Sequence, residues 1–248
     1  MISEPQAREL LLEVRDLTVR HGQLVALHEV SVSVRMGEVV AIVGANGAGK
    51  STLLRTIAGL HKPTRGSVRF AGVEITDYPP DQRVRAGLVL VPEGRRLFSS
   101  LSVEENLLTG CYTGRGGAWD MGRVFELFPW MAERRRQPAS QLSGGQQQAV
   151  AISRALLTNP RALLLDEPSL GLSPVALQRI YSVLPDLVAS GIGVLLVEQD
   201  VRRVLKVADR LKCLLEGREA LEGVPGELEI EEIEAAYFGI SERAGASA

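Results

Sequence analysis

Short apolar runs and alternating stretches divide this chain. Val39-Val40-Ala41-Ile42-Val43, Leu88-Val89-Leu90-Val91, Ala162-Leu163-Leu164-Leu165 and Val194-Leu195-Leu196-Val197 contain no polar residue. Runs of this length read as strands buried on both faces, the habit of a parallel sheet. Residues 10–19 alternate instead, with Leu12, Val14, Leu17 and Val19 set against Glu13, Arg15 and Thr18. Val30-Ser31-Val32-Ser33-Val34 alternates more strictly. One dry face and one wet face argue antiparallel strands, with His21-Gly22 in the turn between them. Gly66–Phe70 and Val73–Ile75 read as a further hairpin.

Helices are expected over residues 53–59, 103–111, 120–128, 131–136, 147–158, 174–189, 201–208 and 231–237, and further strands near 211–215 and 220–221. The 147–158 helix is the best marked, with Ala149, Val150, Ile152, Ala155 and Leu156 at helical spacing. The expected fold is α/β: a mostly parallel sheet, a small antiparallel β part (about 10–35 and 65–76) and a helical insertion over about 94–158.

Composition changes this picture little. A chain of 248 residues with 45% apolar content suits one large α/β domain, placed here over 8–240, with 241–248 as a flexible tail. No apolar run is long enough to cross a bilayer, and the first residues lack the apolar stretch of a secretory signal. Cys111 and Cys213 share no metal or redox spacing and read as free thiols of a reducing cytosol. A net charge of −2 gives no global drive toward nucleic acid, and Arg134-Arg135-Arg136 reads as a solvated helix face.

Chemistry enters at Gly44-Ala45-Asn46-Gly47-Ala48-Gly49-Lys50-Ser51-Thr52. This is the G-x-x-x-x-G-K-S phosphate-binding pattern, between an apolar strand and a helical stretch. Its glycines let backbone N–H groups wrap an anion, and the new helix points its positive end at the same place. Lys50 would reach the β- and γ-phosphates, and the Ser51 hydroxyl would ligate Mg²⁺. A second site is Asp166-Glu167, two carboxylates at the end of an apolar strand. In an open α/β fold that end lies beside the phosphate loop. Asp166 is then a Mg²⁺ ligand, and Glu167 a group that polarises the attacking water.

The third motif is Leu142-Ser143-Gly144-Gly145-Gln146. Ser143 and Gln146 make an S-x-x-Q capping box, which needs no ligand. Two glycines in a first helical turn cost stability and make sense where a phosphate approaches the backbone. The chain's own phosphate loop already has a helix end, so a nucleotide on a second subunit is the natural ligand.

With these three motifs the chain resembles the ATP-binding subunits of ABC transporters over nearly its whole length: Gly44–Thr52 matches Walker A, Leu142–Gln146 the signature and Leu163–Pro168 Walker B. Val91-Pro92-Glu93-Gly94-Arg95-Arg96-Leu97-Phe98, Val197-Glu198-Gln199 and Glu234–Gly239 resemble the branched-chain amino acid importer subfamily. The resemblance implies an ATP-hydrolysing motor in a head-to-tail cassette dimer. Each ATP is bound by one subunit's Walker A motif and the other's Ser143, Gly144, Gly145 and Gln146. It also implies a related rather than identical partner cassette, two transmembrane permease subunits, indirectly a substrate-binding protein, and a peripheral place on the cytoplasmic face of the membrane. The region after Glu93, with Phe98 and Leu101, is the expected docking surface for a membrane-subunit helix. Cassettes for urea, amides or other amino acids, and soluble ABC ATPases of DNA repair or translation, are the alternatives. The short stretch between Lys50 and Ser143 leaves no room for a coiled-coil arm.

Four places depart from the broad ABC pattern. His21 stands where a tyrosine usually stacks on adenine. Glu93 stands where a glutamine usually senses Mg²⁺ and water, so its charge needs Mg²⁺ or Arg95 to offset it. Gln199 stands where a histidine usually contacts the γ-phosphate. Ser169-Leu170-Gly171-Leu172 replaces the usual serine-alanine-leucine-aspartate.

Overall fold

A computed structural model of the chain describes residues 8–240; the tail expected over 241–248 lies outside them. The four apolar runs form β3 (Val39–Val43), β6 (Leu88–Val91), β7 (Ala162–Asp166) and β8 (Gly193–Glu198). With β9 (Arg210–Leu215) and β10 (Arg218–Gly223) they make one sheet in the order β10-β9-β3-β8-β7-β6. Only the β9–β10 pair is antiparallel. Every residue of β3, β7 and β8 is buried. The period of two therefore survives only as a division between cores: Leu163 and Leu165 face one layer, Ala162 and Leu164 the other.

The alternating stretches form a second, antiparallel sheet in the order β2-β1-β4-β5. Its strands are β1 (Leu10–His21), β2 (Leu24–Arg35), β4 (Arg65–Phe70) and β5 (Val73–Glu74). Leu12 pairs with Val34 and Phe70, and Val14 with Val32 and Val68. All six side chains join one core with Leu53, Leu54 and Ile57 of helix α1 (Lys50–Ile57) and with Val40 and Ile42 of β3. Helix α1 thus lies against both sheets.

The other face of the parallel sheet is covered by helices. Between β6 and β7 the chain forms α3 (Val103–Leu108), a 3-10 turn (Thr109–Thr113), α4 (Met121–Leu127), α5 (Pro129–Glu133) and α6 (Gly144–Leu156). The apolar stripe of α6 packs on Leu163, Leu165, Val194 and Leu196 together with Leu184 and Leu187. Helix α10 (Ile230–Phe238) closes a third, smaller core against β9.

Several boundaries differ from expectation. The helix expected over 174–189 is two helices, α7 (Pro174–Tyr181) and α8 (Leu184–Ala189). Pro185 has no N–H for a continuous ladder and sits in the first turn of α8. The helix expected at 201–208 is regular only over α9 (Val201–Val204). Arg134-Arg135-Arg136 is an exposed turn after α5 rather than a helix face. One helix was not expected at all: α2 (Pro80–Ala86), whose Arg83 is 1% exposed. Its guanidinium donates to the carbonyls of Thr56, Ile57, Thr76 and Tyr78. Two of these belong to the last turn of α1, where a cation meets the negative end of the helix and its unpaired carbonyls. Among the described residues no helix is long and apolar enough to cross a membrane.

Candidate functional site

The parallel strands β3, β7 and β8 end at Val43, Asp166 and Glu198, and the loops that follow carry the chemistry. The loop after β3 turns sharply enough to demand glycine. At Gly44 (φ +154°) a Cβ would stand 2.3 Å from the Leu214 carbonyl oxygen, and at Gly49 (φ +98°) 2.8 Å from that of Ala26. Gly49 is the residue before α1, so the free N–H groups of that helix start face the loop. Ala48 is buried on the loop's underside, and its carbonyl accepts from the Gly217 N–H at 3.1 Å.

Above the loop lies a cleft of about 720 Å³, within the range of small-molecule sites. Of the residues singled out in the sequence, His21, Asn46, Gly47, Gly49, Lys50, Ser51, Thr52, Glu93, Glu167 and Gln199 line it. Leu24, Val25, Ala26, Leu170 and Glu216 line it too and were not anticipated. The three from β2 had a readable signal: a hairpin that turns just after His21 must bring its second strand back past the same ring.

The Lys50 ammonium, 4% exposed, donates to the carbonyls of Gly44 (2.7 Å) and Ala45 (3.1 Å) and lies 3.5 Å from Glu167 Oε1. Glu167 Oε2 accepts from Gln199 Nε2 at 2.5 Å. Lys50, Glu167 and Gln199 are therefore one connected chain. Glu167 is held in left-handed backbone (φ +46°), a conformation that costs a side-chain-bearing residue about 1–2 kcal/mol. Its N–H donates to the Val197 carbonyl at 3.1 Å, which anchors the turn.

Asp166 is 1% exposed, and its Oδ1 accepts from the Ser51 hydroxyl at 2.9 Å. Its Oδ2 is buried without a hydrogen-bond partner. Burial pushes the Asp166 carboxyl above the usual carboxylate range; Ser51 and Arg55 pull it back, while Glu167 and Glu93 push it up. An orphaned carboxylate oxygen beside a hydroxyl is a hard-oxygen pair that fits Mg²⁺, which takes one or two protein ligands alongside phosphate and water.

At the cleft's outer end His21 Nε2 lies 3.3 Å from Thr52 Oγ1, and His61 meets the His21 ring edge-on at 5.0 Å. Burial lowers the His61 pKa, with His21 and Arg55 adding to the effect.

Arg95, one of the two groups that could offset the Glu93 charge, does not pair with it and leaves Mg²⁺ as the other. Gly94, Arg95 and Arg96 have successive positive φ values (77°, 65° and 46°), and the turn carries Arg95 to α6. There its Nη1 donates to Gln147 Oε1 at 3.3 Å, and its guanidinium covers Gly144.

The Ser143–Gln146 motif lies elsewhere. The capping box forms in full: the Ser143 N–H donates to Gln146 Oε1 at 3.0 Å and the Gln146 N–H to Ser143 Oγ at 3.4 Å. Ser143, Gly145 and Gln146 line a separate cavity of about 210 Å³ with Phe128, Trp130 and Val175. Gly145 also has a packing reason to be glycine, because a Cβ there would stand 2.4 Å from that of Ala176 in α7.

A family model described as ABC transporter matches residues 27–170, more than half of the chain. The chain belongs to the ABC transporter family. This cassette is 46% identical over 210 residues to the high-affinity branched-chain amino acid transport ATP-binding protein BraG of Pseudomonas aeruginosa, covering 84% of this chain and 90% of the relative. Among solved structures it superposes on a nucleotide-free ATP-binding cassette from an ABC transporter with TM-score 0.79 and 30% identity, covering 92% and 94% of the two chains. A dimeric post-hydrolysis cassette bound to ADP and Pi matches with TM-score 0.76 and 27% identity, over 87% of this chain and 99% of the other. The cassette is an ATPase, and cassettes of this kind form dimers.

Proposed function

We propose that this cassette is the motor subunit of a branched-chain amino acid importer, seated on the cytoplasmic face of the membrane. It would work with a second cassette, two transmembrane permease subunits and, indirectly, a substrate-binding protein. The substrate class rests on the 46% identity to the transport protein of Pseudomonas aeruginosa. The chemistry rests on one observation: Lys50, Glu167 and Gln199 meet in the cleft that the phosphate loop walls.

In this reading His21 stacks on adenine. The backbone from Gly44 to Thr52 and the Lys50 ammonium neutralise the triphosphate of ATP. Ser51 and Asp166, with Glu93 close by, would hold Mg²⁺, which would supply charge neutralisation for the phosphates. Glu167 orients the attacking water through one carboxylate oxygen, while Gln199 fixes the other. Gln199 is a neutral donor and cannot become cationic, so Lys50 is the side-chain cation of the linked Lys50, Glu167 and Gln199 groups. Ser143, Gly144, Gly145 and Gln146 complete the γ-phosphate site of a second cassette. Positioning and charge neutralisation do the work of such a site.

The test is light scattering of Glu167→Gln with and without Mg-ATP. ATP should remain bound, and conversion of monomer to dimer would show that a second copy of this chain can complete the site. A variant that binds ATP and stays monomeric would assign the second cassette to a different chain. One that fails to bind ATP would overturn the site.

A further inference from the structure

Glu198 closes β8 and is 1% exposed. Its carboxylate gathers four donors, all neutral. Oε2 accepts from the Ser169 hydroxyl at 2.7 Å and the Gln199 N–H at 3.3 Å. Oε1 accepts from the Tyr181 hydroxyl at 2.7 Å and the Ser169 N–H at 3.2 Å. Three segments meet here: the turn after β7, helix α7 and the end of β8.

A buried carboxylate is an expensive way to join three segments if stability is the only gain. Well-packed apolar side chains usually do as well or better. What the carboxylate adds is direction, because each lone pair accepts along a defined line. Those lines lead to the cleft. Ser169 follows Glu167 by two residues, and Gln199 follows Glu198 directly. Gln199 in turn donates to Glu167 at 2.5 Å. Glu198 thus grips from behind both backbones that carry this hydrogen bond. Leu170, next to Ser169, is itself part of the cleft wall.

We propose that Glu198 is a positioning residue for ATP hydrolysis: it fixes Glu167 and Gln199 relative to each other and holds the Ser169–Leu172 turn against the cleft. The proposal rests on the reading of Glu167 as the water-orienting group. ATP binding does not depend on it, because Lys50 and the phosphate loop are held by their own contacts with Gly44, Ala45 and α1.

The experiment compares Glu198→Gln, Glu198→Asp and Tyr181→Phe with Glu167→Gln, each in the full chain within its assembled transporter. The readouts are kcat, KM for Mg-ATP, affinity for a fluorescent ATP analogue and thermal midpoint. Glu198→Gln keeps the volume but turns one acceptor into a donor facing other donors. It should lower kcat about tenfold or more while KM and analogue affinity stay within about twofold. Glu198→Asp keeps the carboxylate and should recover part of the loss. Tyr181→Phe removes a single donor and should cost about two- to fivefold in kcat. Wild-type kcat in Glu198→Gln overturns the proposal. So does a parallel loss of kcat, ATP affinity and thermal midpoint that Glu198→Asp fails to relieve. If Glu198→Gln does not fold, Ser169→Ala carries the same test with the carboxylate intact. Undiminished turnover in Glu167→Gln would instead refute the underlying reading of the cleft.

Discussion

The phosphate-loop end of the parallel sheet and the start of helix α6 are both places where backbone N–H groups gather, yet they are finished differently. At the first, the amides, the Lys50 ammonium, the Ser51–Asp166 pair and the Glu167–Gln199 pair converge on one cleft from three strand ends. At the second, the chain satisfies its own helix start with a capping box, and the glycines meet Arg95 and Ala176. The first region leaves a buried carboxylate oxygen, Asp166 Oδ2, for a ligand to partner. The second closes a capping box on itself without one. Two helix starts in one molecule thus differ in what surrounds them, not in their backbone chemistry.

The largest effect that sharpens this contrast is Lys50→Ala. It removes the buried cation of the cleft and should lower ATP affinity and turnover by about a hundredfold or more, measured by nucleotide titration and phosphate release. Helix α6 should hardly change, while the thermal midpoint falls because the Gly44 and Ala45 carbonyls and Glu167 lose their partner. A Lys50→Ala protein that binds ATP normally would break the comparison at its first half.

Ser143→Ala is the matching change in the second region. Loss of the cap should cost about 1 kcal/mol of stability, read as a lower urea midpoint. ATP affinity of the single chain should stay unchanged, while turnover of the dimer falls. Weaker ATP binding by the monomeric variant would show that the two regions share one nucleotide within the chain.

The smallest effect uses the two cysteines, one beneath the phosphate loop and one in the helical layer. Cys213 pairs with Val43 at the base of the phosphate loop and is buried; Cys111 lies exposed in the helical layer. Burial pushes the Cys213 thiol up to about 11, from an ordinary value of 9.0. At pH 8 one thiol per chain should react with a maleimide, the second only after unfolding. Because the folded state disfavours the Cys213 thiolate, its contribution is present below pH 9 and is lost between pH 9 and about 11. The urea midpoint should fall across that window. Rapid labelling of both thiols in native protein would mean that the loop's base opens.

Much of the cleft was legible in the chain because its parts are local. Gly44, Gly47 and Gly49 all take positive φ, and Lys50 and Ser51 follow at fixed spacing on the first turn of a helix. Asp166 and Glu167 end an unbroken apolar run, and such a run in a parallel sheet has one end where a ligand can sit. The capping box at Ser143 was legible for the same reason, since its partners are three residues apart.

What the chain did not disclose involves partners distant in sequence. Pro80–Ala86 shows no apolar face, and its Arg83 looks like a surface residue; only the carbonyls of Thr56 and Ile57, brought alongside, make it a buried cap. Arg95 stands two residues from Glu93 yet joins Gln147, because three left-handed residues turn the chain away. Glu198 reads as one more charge after a strand until Ser169 and Tyr181 close around it. Amino-acid order by itself determined where phosphate-binding backbone, strand-end carboxylates and helix caps form, because these depend on φ, ψ and near neighbours. Tertiary structure alone decided which charges are buried, which are paired and which two loops one carboxylate holds, because those energies depend on groups that only folding brings within hydrogen-bond distance.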